Sequence, residues 1–146
     1  MTKAYNHFIG GATVTGKSGS YKNIFNPSLG DVSGTVVLAN SEEVDLAVKS
    51  AQEAFPGWAA LNPQRRARVM FNFKRLIEEN ADELALIISE EHGKVLADSH
   101  GDIQRGLDVI EFACGIPHLT KGEYSQGAGP GIDVYSMRQP IGVAVG

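Results

Sequence analysis

The hydrophobic pattern of this 146-residue chain changes period at Asn40, and that change limits the fold more than any other feature. Before Asn40, short apolar runs alternate with turn residues. Asn6-His7-Phe8-Ile9-Gly10-Gly11 is a short apolar piece closed by glycines, and Gly16-Lys17-Ser18-Gly19-Ser20 is a turn. Tyr21-Lys22-Asn23-Ile24-Phe25 reads as a short strand stopped by Asn26-Pro27. Gly34-Thr35-Val36-Val37-Leu38-Ala39 is a β-branched run that ends at Asn40. After Asn40 the apolar positions recur at helical spacing as far as Cys114.

The spacing predicts four helices. Asn40 or Ser41 caps the first, with Glu42 and Glu43 near the positive end of its dipole. Val44, Ala47, Val48, Ala51, Ala54 and Phe55 form its apolar face, and Pro56-Gly57 is expected to end it. Asn62-Pro63 starts the second as cap and first-turn proline, followed by Ala67, Met70, Phe71 and Ile77 along one side. Asn80, with Glu83 three residues on, starts the third. That helix carries Leu84, Ile87 and Ile88 and stops at Gly93, where a left-handed residue is needed. The fourth begins near Leu96, bears the stripe Ile103, Leu107, Ile110 and Cys114, and ends before Pro117. Gly101 and Gly106 inside it imply close packing against another element, at a cost of about 0.5–1 kcal/mol each relative to alanine.

Gly122 to Gly131 reads as a glycine-rich connector. Ile132-Asp133-Val134-Tyr135-Ser136-Met137-Arg138 alternates as a half-exposed strand does. Pro140-Ile141-Gly142-Val143-Ala144-Val145-Gly146 reads as a buried strand of a parallel sheet. Such a strand needs neighbours and a crossover helix, so the end of the sequence reads as an interruption. The whole is an α/β chain.

The formal net charge of −4 and the absence of a Lys/Arg run give no electrostatic footprint for nucleic acid. No window approaches a membrane span, and Met1–Ala12 lacks a signal core. One cysteine forms no internal disulfide, which fits a reducing compartment. These features predict a soluble, cytoplasmic protein that engages neither nucleic acid nor membrane.

Five groups of residues invite a chemical reading. Gly11-Ala12-Thr13-Val14-Thr15-Gly16-Lys17-Ser18 matches the phosphate-binding pattern G-x-x-x-x-G-K-[ST]. That loop requires a helix immediately after it, and Gly19, Ser20 and the Asn26-Pro27 turn forbid one, so a hairpin turn is the better reading. Cys114 falls on an apolar stripe and reads as a small buried hydrophobe, not a nucleophile. His92, His100 and His118 have no zinc-type spacing. Arg65, Arg66 and Arg68 read as a solvated basic face or as partners for acids such as Glu53. Arg105 projects away from Ile103 and Leu107, above Val109 and Phe112. A guanidinium beside apolar groups suits a carboxylate ligand, but from spacing alone a salt bridge to Asp102 or Asp108 is the better reading.

Several phrases in order resemble the aldehyde dehydrogenase superfamily. They are Ile24-Phe25-Asn26-Pro27-Ser28, Glu43 to Val48, Ala51 to Phe55 with Trp58, Arg65 to Arg68, Ile77 to Ala85, Glu91-His92-Gly93-Lys94 and Gln139 to Val143. Within it, Gly93 to Asp98, Gly101 to Leu107, Val109 to Cys114 and Asp133 to Arg138 resemble the methylmalonate-semialdehyde dehydrogenases. Val95 departs from a common threonine, and Ser99-His100 varies a mixed position.

The resemblance implies the N-terminal part of that fold: a β-hairpin, four helices and strands entering an oligomerisation arm and a parallel sheet. It assigns residues 1–131 to the NAD-binding domain and 132–146 to the arm and the start of the sheet, truncated. It implies an NAD-dependent enzyme that oxidises malonate or methylmalonate semialdehyde, with coenzyme A as co-substrate, to acetyl- or propanoyl-CoA. It places Arg105 on the helix bordering the substrate tunnel, in contact with the semialdehyde carboxylate. The catalytic cysteine, the cofactor phosphate site and the oxyanion donors match nothing in these residues. The chain is therefore expected to be inactive alone, to bind no cofactor by itself, and to belong to a homo-oligomer. The rivals are a semialdehyde dehydrogenase without coenzyme A, a non-catalytic interaction module and a P-loop nucleotidase.

Overall fold

A computed structural model describes residues 3–146, so the first two residues of the expected N-terminal unit lie outside the described residues. Among the described residues seven strands and five helices follow one another, strands first and helices second as foreseen, and a short fifth helix and a closing hairpin that were not foreseen come last. Strands β1 (Lys3–Tyr5), β4 (Tyr21–Phe25) and β5 (Val32–Val37) form one sheet in the order β1-β5-β4. β5 is central, parallel to β1 and antiparallel to β4. Its Val37 is buried, which is why the β-branched run occupies the middle of the sheet. Strand β1 was not legible, because its apolar run is too short to show a period.

Strands β2 (His7–Ile9) and β3 (Ala12–Val14) form a separate hairpin. Gly10 and Gly11 both have positive φ, at 62° and 81°, the geometry that a two-residue type I′ turn demands.

Helix α1 (Ser41–Ala60) opens on a complete capping box. Asn40 Oδ1 accepts from the Glu43 backbone N–H, and Glu43 Oε2 accepts from the Asn40 N–H, both at 2.9 Å. The helix was expected to stop at Pro56 but runs through it to Ala60. Proline's fixed φ is itself helical, so the ring removes one hydrogen bond in the last turn without forcing an end. Helix α2 (Pro63–Glu79) has the expected Asn62 cap, whose Oδ1 accepts from Arg65 N–H at 2.9 Å.

Helix α3 (Ala81–His92) departs from expectation at its start. Asn80 makes no side-chain cap there. Its Nδ2 donates backwards to the Leu76 carbonyl at 2.7 Å and so closes α2 instead. At the other end Gly93 is left-handed, with φ 80°, as foreseen. A Cβ at this position would lie 2.9 Å from Cγ of Pro27, so the turn after β4 rests directly on the end of α3.

Helix α4 (Leu96–Cys114) buries Ile103, Leu107 and Cys114 of the predicted stripe. Ile103 and Leu107 meet Ala85 of α3, with Ile77, Ala81, Leu84 and Ile88 packed around them. Ser99 is 0% exposed, and its hydroxyl bonds that of Ser89 at 2.9 Å across α3 and α4. This satisfies two polar groups at the least accessible point of the helical unit. Gly101 and Gly106 do not pack closely as expected, since a Cβ on either would meet nothing within 4 Å. No element of these residues covers that side of α4. The short α5 (Ile116–Leu119), which contains Pro117 in its first turn, follows.

The glycine-rich connector is largely a strand. β6 (Tyr124–Gly129) pairs antiparallel with β7 (Ile132–Tyr135) through the turn Pro130-Gly131, so the expected boundary after residue 131 falls inside one hairpin. Asp133 fastens this hairpin, accepting from Tyr124 Oη at 2.5 Å and from Gly127 N–H at 2.8 Å. Those bonds hold the Asp133 carboxyl below its usual range and raise the Tyr124 phenol. The expected strand at 140–146 does not form: the segment has no ladder, and Ile141 is 97% exposed. A strand is defined by its ladder partner, and the segment instead passes over α1, where Val143 and Ala144 line a recess with Val44, Ala47 and Ala51. The α1 stripe is only loosely covered by this segment, and Val44 stays exposed.

Candidate functional site

The recess around Arg105 is built by the turn between α3 and α4. Gly93 reverses the chain, and Lys94 returns over the first turns of α4 to Asp102, eight residues on. Lys94 Nζ donates to Asp102 Oδ2, while Arg105 Nη1 donates to Asp102 Oδ1 at 2.9 Å. Each oxygen of one carboxylate thus holds one cation. The Lys94 hydrogen bond is the first cause that keeps the Asp102 carboxyl below its usual range; burial opposes it, and the charges of Lys94, Arg105 and His92 add to the lowering. Together with Ala97, Asp98 and Gly101 these three residues line a recess of about 300 Å³.

Arg105 is 79% exposed along its side chain, and a single bond holds it. The guanidinium has five donors in a planar fork, so most of the fork remains open. Val109 and Phe112, one and two turns further along the same side of α4, are also exposed. The surface is therefore a cation followed by an apolar strip, able to take a short chain with a carboxylate at one end. The salt bridge that spacing allowed forms with Asp102. Asp108 instead accepts from Gln104 Nε2 at 2.9 Å.

The other candidates separate. The phosphate-loop match becomes β3 and a loop, followed by β4 and no helix. The Lys17 backbone N–H, which such a loop would aim at phosphate, donates to Glu43 Oε1 at 2.6 Å. A carboxylate in that place repels phosphate. His7 Nε2 lies 3.5 Å from the same oxygen. Cys114 is buried on its stripe. His100 faces Asp82 at 3.5 Å and His92 lies near Asp102, and no three metal-binding side chains converge among the described residues. Arg65 and Arg68 are exposed, while Arg66 is half-buried with Nε unpaired among the described residues. Glu53 does not pair with this cluster but faces Lys49 at 4.0 Å. No helix among the described residues is long and apolar enough to cross a membrane.

Sequence reasoning found Arg105 and its Asp102 partner but missed Lys94. The Lys94–Asp102 contact spans a glycine turn, beyond the three- and four-residue spacings that helical pairs show.

Comparison with known proteins shows the family. The aldehyde dehydrogenase family matches residues 14–146. Methylmalonate-semialdehyde dehydrogenase [acylating] from Arabidopsis thaliana is 45% identical over 140 residues, covering 96% of this chain and 23% of that protein. Malonate-semialdehyde dehydrogenase from Pseudomonas aeruginosa is 43% identical over 140 residues, covering 96% of this chain and 28% of that protein. A crystal structure of a Sinorhizobium meliloti protein, described as a methylmalonate-semialdehyde dehydrogenase and complexed with NAD, superposes with a TM-score of 0.93 at 56% identity. It is covered to 29% of its length by 97% of this chain. The chain thus spans less than a third of the length of these relatives. With a family match over nearly all its residues and the same mixed architecture as the solved relatives, the chain belongs to the aldehyde dehydrogenase family of oxidoreductases.

Proposed function

We propose that residues 1–146 are the N-terminal region of an NAD-dependent, acylating malonate- or methylmalonate-semialdehyde dehydrogenase. Within it, Arg105 holds the carboxylate of the semialdehyde. The observation that carries this is the exposed Arg105 fork standing beside Val109 and Phe112 on a chain 43–45% identical to proteins bearing those names. Residues 1–131 belong to the NAD-binding domain and 132–146 to an oligomerisation arm and the start of the sheet, in a cytoplasmic homo-oligomer.

In the full-length protein, bound NAD would supply the hydride acceptor and coenzyme A would be the co-substrate that carries away the acyl group, as acetyl- or propanoyl-CoA, with loss of the carboxyl carbon. The loop that matches the phosphate-binding pattern does not fit the dinucleotide phosphates, since its Lys17 N–H faces the Glu43 carboxylate. Their part is to bind and orient. Arg105 fixes the charged end of the substrate, and Val109 and Phe112 exclude water from its carbon chain.

Arg105→Leu in the full-length protein is expected to raise KM for the semialdehyde by about tenfold or more, the scale of one lost charge-assisted hydrogen bond. KM for NAD should change far less. Equal changes in both would remove the assignment. Trapping of a thioester product, as against free acid, separates this reading from a semialdehyde dehydrogenase without coenzyme A. The 146-residue chain alone should be inactive and should self-associate through its uncovered apolar surfaces and edges. A monodisperse monomer by light scattering would refute the latter.

A further inference from the structure

The contacts of Asp102 raise a question of charge. An acid bonded to Arg105 should cancel its charge and repel a ligand carboxylate. Lys94 resolves this. It takes the second oxygen of the same carboxylate, so the Lys94–Asp102 pair is neutral by itself and the Arg105 charge is left over for a ligand. Asp102 then acts on Arg105 as a directional acceptor. It engages Nη1, so the guanidinium is held at the rim of the recess that Lys94, Ala97 and Gly101 line, with the rest of its fork exposed. A long, exposed arginine otherwise samples many rotamers, and fixing it before the ligand arrives reduces what binding must order.

We infer that Asp102, anchored by Lys94, is the positioning residue that presents the Arg105 guanidinium to the substrate carboxylate and so sets the preference for acidic over uncharged aldehydes. The inference rests on the reading of Arg105 given above. It differs from a plain surface ion pair, which would stabilise the protein slightly and leave ligand selection unchanged.

The test uses the full-length protein, with malonate semialdehyde and propanal as the paired aldehydes and malonate as a competitive probe. Asp102→Ala is expected to raise KM for malonate semialdehyde and the inhibition constant of malonate by about three- to tenfold, with a smaller change in KM for propanal. Asp102→Asn, which keeps an acceptor, should fall between parent and Asp102→Ala. Lys94→Met should also weaken malonate, because it leaves the Asp102 charge uncompensated beside the ligand. If charge alone mattered, Asp102→Ala would bind malonate more tightly than the parent, and that result overturns the inference. So does an unchanged malonate constant in both Asp102 variants. If Arg105→Leu weakens malonate while the Asp102 variants do not, only the positioning role falls. If Arg105→Leu has no effect, the carboxylate site itself is refuted.

Discussion

The three helices α2, α3 and α4 and the segment from Tyr124 to Gly146 differ in where their apolar side chains find cover. The helices enclose Ala85, Ile103 and Leu107 among side chains of the same chain, and they bury the Ser89–Ser99 bond between them. The closing segment forms a hairpin held by one aspartate and then runs on with no ladder, with Ile132, Val134, Tyr135 and Ile141 all exposed. Both are apolar in sequence. The first satisfies itself within about fifty residues. The second carries surface that only other polypeptide can cover, and α1 shares that condition along its Val44 edge.

Substitutions can break this contrast in order of decreasing effect. Leu107→Ala empties part of the self-contained core and should cost about 2–5 kcal/mol, read by denaturant unfolding of the chain at low concentration. A loss below about 1 kcal/mol would mean that the helical unit is not packed as described. Ser99→Ala leaves the half-buried Ser89 hydroxyl without its partner and should cost about 1 kcal/mol. Restoring stability with the double change to alanine at both serines would identify the orphaned hydroxyl as the cause.

Glu43 tests the junction between the N-terminal hairpin and α1. Its bonds to the backbone of Asn40 and then Lys17 hold its carboxyl below the usual range. A group with a depressed folded pKa adds stability that is fully present above the unfolded value and is lost as pH falls through the folded one. Glu43→Gln should therefore destabilise α1 at neutral pH and flatten the acid limb of the stability profile, converging on the parent at pH values below the carboxylate range. A parallel displacement of the two profiles would contradict this. The smallest effect belongs to the exposed tail, where Ile141→Ala should stay within about 0.5 kcal/mol in the isolated chain. In the full-length protein the same change should cost more, and equal costs in both settings would erase the contrast.

Local features were legible in sequence and non-local ones were not. Asn40, Asn62 and Gly93 end or begin helices through bonds within a few residues, and each acts as read. Pro56 misled because a breaker's effect depends on how much helix lies on either side. Asn80 misled because two helices compete for one side chain. Strand β6 was hidden in glycines, since its ladder comes from β7 and not from its own propensity. The apolar run at 140–146 announced a strand whose partners are not among these residues. Arg105 stood out only through family resemblance. Its spacing was ambiguous, and the lysine that completes its surroundings comes from across a turn.

The contact of Gly93 with Pro27 bears on how the strand layer and the helical unit keep their places. The tight turn at Asn26, whose Oδ1 accepts from Ser28 and Leu29 N–H, gives that proline little room to retreat. The seam between the layers is closed around a single hydrogen atom, so position 93 works as a spacing gauge. Lys94 begins at that seam. A displacement of the strand layer would travel one peptide further and arrive at the carboxylate that aims Arg105.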